Sequence, residues 1–125
     1  MPIIRKRVFI IDEYEYVAVM LKKIMEGLDY EVGGVALNAD DAMAAVSLNR
    51  NIIDLVTLDI CLGKTDGTDL IEKILKLNPK IIVVMVSSNK EQRVIIQSIQ
   101  LGAKHYLLKP FNIEDIRKAM HKLLG

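Results

Sequence analysis

Hydrophobic residues form two alternating kinds of segment along the chain. The first kind is a short run rich in β-branched residues, and runs of this length are typical of strands buried on both faces of a parallel sheet. Five such runs occur in the chain, the second and fifth being the weakest, at residues 8–11, 31–35, 52–58, 81–86 and 106–108. The pattern therefore predicts five strands.

The second kind of segment repeats its apolar residues with the spacing of one helix face. Asn38 and Asn112 precede two of these segments and are predicted to cap the helices there. The inward faces of five helices are predicted to carry Val17, Met20, Leu21, Ile24 and Leu28; Met43 and Val46; Leu70, Ile71, Ile74 and Leu75; Val94, Ile95 and Ile99; and Ile113, Ile116, Met120 and Leu123.

Strict alternation of five strands with five helices predicts an α/β fold. Such a chain forms a doubly wound parallel sheet with helices on both faces. Right-handed crossovers leave few topologies, and the strand order 2-1-3-4-5 is expected for five strands. We expect residues 1–125 to form one domain, without a separate output domain.

Composition and charge exclude several classes of function. Lys and Arg number 17 against 16 Asp and Glu, so a net charge of +1 gives no electrostatic case for direct binding to nucleic acid or an anionic membrane. The single cysteine, Cys61, allows neither an internal disulfide nor a multi-cysteine zinc site. No apolar run approaches the ~20 residues of a membrane helix, and no signal-peptide core follows Met1. We expect a cytoplasmic protein.

Polar residues follow four of the predicted strands. Asp12 and Glu13 follow the first strand, Asp59 the third, Ser87 the fourth and Lys109 the fifth. Strands one and three are neighbours in the expected order, so the three acidic residues should meet at one edge of the sheet. Carboxylates in one crevice repel each other unless a cation joins them, and Mg²⁺ takes such oxygen ligands. With a lysine and a serine added, the set can stabilise a phosphoryl group, and Asp59 can act as the nucleophile.

Other polar residues are predicted to have structural roles. The chain places Asp54 at the start or edge of a strand, Asp66 in a turn near a helix start, and His105 and His121 on the surface. Cys61 lies in the loop after Asp59 without an adjacent basic group to lower its pKa, so we expect it to offer its backbone carbonyl rather than a thiolate.

The strand-end residues and their surroundings resemble the receiver domain of bacterial two-component response regulators, in particular the stand-alone chemotaxis (CheY) type. The resemblance covers essentially the whole chain and implies a CheY-like variant of the flavodoxin-like fold. It rests on the segments 9–13 (FIIDE), 59–67 (DICLGKTDG), 84–88 (VMVSS), 102–103 (GA) and 106–111 (YLLKPF).

The resemblance implies a role for each site residue. Asp59 would accept a phosphoryl group from a phosphohistidine on a sensor histidine kinase. Ser87 and Lys109 would contact the phosphoryl oxygens, and Tyr106 would be the switch aromatic that moves as Ser87 moves. Mg²⁺ would be held by Asp12, Glu13, Asp59 and the backbone carbonyl of Cys61.

The resemblance also implies a phosphorylation-activated switch rather than an enzyme, although the phosphoacceptor would assist its own phosphorylation and dephosphorylation. Besides the kinase, the implied partners are a flagellar motor switch protein, as the favoured target, and a phosphatase. The target would bind the face formed by the fourth helix, fifth strand and fifth helix, where candidate residues are Lys90, Arg93, Gln97, Tyr106, Lys118 and Lys122.

Three residues depart from the family pattern. Glu13 stands where aspartate is commoner, and its extra methylene moves the carboxylate. Gly63 stands where proline is usual, so a looser loop is expected after Asp59. Ser88 stands where a smaller residue is usual and is expected to narrow access to the site.

Alternative functions were weighed against the same residues. A haloacid-dehalogenase-type phosphohydrolase needs a second aspartate where Cys61 stands, as well as a cap insertion. A flavodoxin-like electron carrier needs a phosphate loop after strand one, but residues 12–15 are DEYE and would repel phosphate. A phosphorelay intermediate, a single-domain regulator of another pathway, and a receiver-like binding module without phosphorylation all remain open.

Overall fold

Five parallel strands form the central sheet of the computed structural model, which describes residues 4–125. The sheet strands are β1 (Arg7–Ile11), β2 (Glu31–Ala36), β3 (Leu55–Leu58), β6 (Ile82–Ser87) and β7 (His105–Leu108), and two short antiparallel strands, β4 (Cys61–Leu62) and β5 (Thr65–Asp66), form a hairpin after β3. The sheet order is β2-β1-β3-β6-β7. When the two hairpin strands are left out of the numbering, this order is the predicted 2-1-3-4-5.

Five helices alternate with the sheet strands, as predicted. They are α1 (Glu15–Gly27), α2 (Ala39–Asn49), α3 (Thr68–Leu77), α4 (Gln92–Gln100) and α5 (Ile113–Leu124). Among residues 4–125, no helix combines the length and apolar character that a membrane crossing requires.

Both predicted asparagine caps are confirmed. The Asn38 side chain accepts a hydrogen bond from the backbone N–H of Asp41 at 2.8 Å, and the Asn112 side chain accepts one from Asp115 at 2.8 Å. Each cap satisfies a backbone donor that lacks an intrahelical partner, and so fixes where its helix begins.

The hydrophobic core consists of two layers, one on each face of the sheet. Alternate residues of β1 point to opposite layers, so Val8 and Ile10 pack with residues of α1 and α5, whereas Phe9 and Ile11 pack with residues of α2 and α3. All four are buried. A strand covered on both faces needs apolar residues at every position, which explains the unbroken run in the sequence.

Three residues predicted to face inward are exposed: Met20 at 45 %, Ile99 at 45 % and Ile113 at 60 %. In α1 the buried positions include Ala18 and Met25 instead. Apolar spacing identifies a helix and its broad face, but the sheet covers only the centre of that face, so residues at its margin remain accessible.

Thr57 places a polar group in the apolar interior of β3, the strand that lies between β1 and β6. It is 1 % exposed and pairs in register with Ile10 and Val84. Within the described part of the chain, its hydroxyl has no hydrogen-bond partner. A buried hydroxyl without a partner costs free energy, because it gives up its hydrogen bonds to water on folding.

Replacing Thr57 with valine should therefore stabilise the protein. Valine keeps the β-branched shape and removes the hydroxyl, so we expect Thr57→Val to raise the free energy of unfolding by about 1 kcal/mol in urea denaturation. Thr68→Val is the matched control, because the buried Thr68 hydroxyl donates to Asp66 at 2.8 Å and its loss should destabilise. Lower stability of Thr57→Val would contradict this account.

Candidate functional site

The predicted acidic residues at the ends of β1 and β3 lie side by side. The two strands pair in register, with Ile11 opposite Leu58, and the N–H of Asp59 donates to the carbonyl of Ile11 at 3.1 Å. Asp12 comes directly after β1, Asp59 comes directly after β3, and both residues are buried. The backbone register thus fixes two carboxylates at the same edge of the sheet.

Lys109 brings a positive charge to this pair from the end of β7. Its ammonium lies 2.7 Å from Oδ2 of Asp12 and 2.9 Å from Oδ2 of Asp59. The backbone N–H of Lys109 donates to the carbonyl of Ser87 at 2.9 Å, which anchors the lysine to the end of β6. The predicted meeting of Asp12, Asp59 and Lys109 is therefore found in the structure.

Burial and charge act in opposite directions on these groups. Burial raises the pKa of Asp12, and the charge of Asp59 adds to this, while the contacts with Lys109 and with the N–H of Tyr14 offset part of it. Burial opposes the charge of Lys109 too, but its hydrogen bonds to Asp12 and Asp59 raise the pKa of the lysine overall. One ammonium thus faces two carboxylates in a poorly hydrated place.

The charge balance at this edge suits a divalent cation. Oδ2 of Asp12 is buried and contacts the Lys109 ammonium at 2.7 Å. Glu13 turns away, and its Oε2 accepts a hydrogen bond from the backbone N–H of Gly63 at 2.6 Å. Accordingly, residues 4–125 hold no group of three acidic, histidine or cysteine side chains arranged around a common point. The two buried carboxylates of Asp12 and Asp59 carry more negative charge than one ammonium offsets, and such oxygen ligands fit Mg²⁺ chemically.

The loop after β3 orients Asp59. Its Oδ1 accepts a hydrogen bond from the backbone N–H of Cys61 at 3.2 Å. The Cys61 thiol is exposed, but partial burial and the charges of Asp59, Glu13 and Asp66 raise its pKa. A raised pKa disfavours the thiolate, which agrees with the expectation that this cysteine is not a nucleophile.

Asn89 connects Ser87 with the predicted switch residue Tyr106. The hydroxyl of Ser87 accepts a hydrogen bond from the N–H of Asn89 at 3.1 Å, and the hydroxyl of Tyr106 donates to the carbonyl of Asn89 at 2.8 Å. Sequence reasoning named Ser87 and Tyr106 but not this backbone bridge, because a backbone contact leaves no signal in side-chain identity.

An open cavity of about 540 Å³ adjoins the acidic pair. Asp59, Glu13 and Lys109 form its polar part, and the apolar part includes residues of α1 and of the segment after β7. The ring of Tyr14 lies 5.6 Å from the Lys109 ammonium, within the range of a cation–π contact. The sequence analysis did not assign Tyr14 to the site, since a single aromatic after an acidic pair is not a motif.

Gly67 packs against the backbone of the loop that carries Asp59. A Cβ atom at this position would lie 1.9 Å from the carbonyl oxygen of Asp59, which no side chain can tolerate. The N–H of Gly67 also donates to the carbonyl of Ile60. The sequence marked Asp66 and Gly67 only as a turn, and the structure shows that glycine is required there for close approach to Asp59.

The fold and the strand-end residues together define a signalling domain of two-component systems. Residues 8–121 match the family model of the response regulator receiver domain, and since this match covers most of the chain, the protein belongs to that family. The resemblance stated from the sequence is thereby confirmed. Receiver domains are signalling proteins, so the phosphohydrolase and electron-carrier alternatives are set aside.

Similar proteins carry the same description. The chain is 33% identical to the chemotaxis protein CheY of Thermotoga maritima over 118 residues, 94% of this chain and 97% of that protein. A CheY-like receiver domain protein of Methanospirillum hungatei JF-1 has a TM-score of 0.87 at 29% identity, covering 95% of this chain and 93% of that chain. The CheX-CheY-BeF3-Mg complex of Borrelia burgdorferi has a TM-score of 0.89 at 22% identity, covering 96% and 90%.

Removing one of the two buried carboxylates should stabilise the protein at neutral pH. Asp12→Asn leaves Asp59 and Lys109 as a neutral pair and keeps an acceptor for the N–H of Tyr14, which Asp12 now binds at 2.9 Å. We expect the free energy of unfolding at pH 7 to rise by about 1 kcal/mol, measured by urea denaturation.

The pH dependence of this gain follows from the raised pKa of Asp12. The folded protein binds the Asp12 proton more tightly than the unfolded chain, so ionisation disfavours folding as the pH rises from 3.8 through the raised pKa. The gain of Asp12→Asn should therefore shrink as the pH falls toward 3.8. Asp69→Asn, at an exposed position of α3, should change stability little at either pH. A gain that grows on acidification would contradict the assignment.

Proposed function

We propose that the protein is a phosphorylation-activated switch in which Asp59 accepts a phosphoryl group from a sensor histidine kinase. The observation that carries this proposal is the contact of the Lys109 ammonium with the buried carboxylates of Asp59 and Asp12, at 2.9 and 2.7 Å. The ammonium holds the Asp59 carboxylate in place, and a carboxylate oxygen can act as the nucleophile in phosphoryl transfer. The adjoining cavity gives a phosphodonor access to it.

The reaction transfers one phosphoryl group. An oxygen of Asp59 forms a bond to phosphorus while the bond from phosphorus to the donor's imidazole nitrogen breaks, and the imidazole leaves with that electron pair. The Lys109 ammonium, which contacts Asp12, then also faces the phosphoryl oxygens. Mg²⁺, held by Asp12, Glu13, Asp59 and the backbone carbonyl of Cys61, would supply positive charge to the phosphoryl oxygens.

Asn89 offers a physical route from the site to the surface. A phosphoryl group gives Ser87 a new acceptor, so its hydroxyl turns from the N–H of Asn89, which it accepts at 3.1 Å, and donates to the phosphoryl oxygen. The Asn89 backbone is then free to move. Its carbonyl holds the hydroxyl of Tyr106 at 2.8 Å, so movement there repositions Tyr106. A shift from 1:99 to 99:1 requires about 5.5 kcal/mol of differential stabilisation.

The α4–β7–α5 face is the surface that responds, with α4, β7 and α5 bounded as above. It combines exposed apolar side chains with exposed basic ones, a composition suited to an apolar and acidic partner segment. The exposed side chains on this face include Lys90, Arg93, Ile96, Gln97, Ile99, Leu108, Lys118 and Lys122.

The favoured target is a flagellar motor switch protein, reached in the cytoplasm where sensor kinases present phosphohistidine. This choice is supported by the chemotaxis relative from Thermotoga maritima, which the chain matches over nearly its full length. A phosphatase that shortens the lifetime of the phosphoryl group completes the set of partners. The cavity at the site gives such a partner room to reach Asp59.

Substituting the phosphoacceptor tests the proposal directly. Asp59→Asn should abolish labelling by acetyl phosphate and Mg²⁺, because an amide oxygen is too weak a nucleophile, and intact-protein mass spectrometry would record the loss of the phosphoryl mass. Asp69→Asn should label like the wild type, because this carboxylate is exposed on α3. Equal labelling of Asp59→Asn would refute the assignment, and an unlabelled wild type would favour a binding module without phosphorylation.

Lys109 tests the coupling between the site and the surface. Lys109→Ala should still bind Mg²⁺ in calorimetry, because both carboxylates remain, but acetyl phosphate should no longer shift the amide NMR signals of α4 and β7. Lys22→Ala is the control, since Lys22 is exposed on α1. If phosphorylated Lys109→Ala still shows the wild-type shifts, the lysine does not couple the two regions.

A further inference from the structure

Two of the three departures from the family pattern, Glu13 and Gly63, are joined by one hydrogen bond. Glu13 lies in the loop between β1 and α1, and Gly63 lies at the tip of the β4–β5 hairpin. The Oε2 of Glu13 accepts the backbone N–H of Gly63 at 2.6 Å, across 50 positions of sequence. The pairing is charge-assisted, and it ties the hairpin to the loop that carries the acidic residues.

Both residue types are needed for this contact. Aspartate at position 13 is one methylene shorter, and proline at position 63 has no N–H to donate. Gly63 has a φ of +64°, in the left-handed region that favours glycine and that the ring of proline excludes. Aspartate at position 13 or proline at position 63 would therefore remove the contact.

Electrostatics explains why Glu13 binds the hairpin rather than the acidic pair. Lys109 offsets only one of the two charges of Asp12 and Asp59, so a third carboxylate brought closer would be repelled. Glu13 nevertheless lines the same cavity as Asp59, which leaves it within reach of a cation bound there. A divalent cation reverses the balance, because it attracts the carboxylate that the acidic pair repels.

We propose that the Gly63 N–H and the bound cation compete for the Glu13 carboxylate, so that Gly63 is a positioning group for the cation site. Cation binding draws Glu13 from the hairpin and releases the hairpin beside Asp59. The hydrogen bond between Glu13 and Gly63 lowers the cation affinity, because it must be broken before Glu13 can bind the cation. This inference rests on the proposed function, because it takes the cation site beside Asp59 as given.

Amide exchange at Gly63 tests this competition. In the wild type, saturating Mg²⁺ should increase the Gly63 amide exchange rate, measured by NMR, about tenfold, which corresponds to about 1.4 kcal/mol. Glu13→Asp cannot reach the hairpin, so its Gly63 amide should exchange fast with or without Mg²⁺, and calorimetry should show tighter Mg²⁺ binding than in the wild type. Glu13→Gln keeps an acceptor oxygen but not the charge, so its Gly63 amide should stay protected with Mg²⁺ present.

The outcomes separate this inference from the proposed function. A wild-type Gly63 amide that exchanges equally with and without Mg²⁺, or a protected Gly63 amide in Glu13→Asp, overturns the competition, and so does the absence of Mg²⁺ binding. Labelling of Asp59 by acetyl phosphate is measured in parallel. Labelling with an unresponsive Gly63 refutes only the competition, whereas a responsive Gly63 without labelling refutes only the phosphoacceptor.

Discussion

The contact of one lysine ammonium with two buried carboxylates is the interaction on which the site depends. Lys109 lies within 3 Å of both Asp12 and Asp59 because three strands end at the same edge of the sheet. Two carboxylates and one ammonium leave an excess of negative charge where little water reaches. Such an arrangement costs folding free energy, and its excess of negative charge attracts a divalent cation.

The parallel sheet makes this concentration of charge possible. Apolar layers cover both faces of the strands, so polar residues of β1, β3 and β7 gather at the strand ends, and the site lies at the carboxyl ends. The loops that leave this edge then modify the site. Gly67 packs against the carbonyl of Asp59, and Glu13 binds the hairpin through Gly63, so the hairpin helps to position the loop that carries Asp59.

The same edge connects the site with a distant surface through the backbone. Asn89 follows β6, accepts the hydroxyl of Tyr106 and donates to the hydroxyl of Ser87. Asn89 therefore contacts both Ser87 of β6 and Tyr106 of β7.

Much of the fold could be predicted from the sequence, since strand runs and helix periodicity are local properties. The sequence by itself determined the α/β alternation, the caps Asn38 and Asn112, and the polar residues that follow four of the five sheet strands. Only the tertiary structure decided which margin of a helix face stays exposed, as at Met20, and that Glu13 pairs with Gly63. Those outcomes depend on distances between residues far apart in the chain, and local patterns carry no information about such distances.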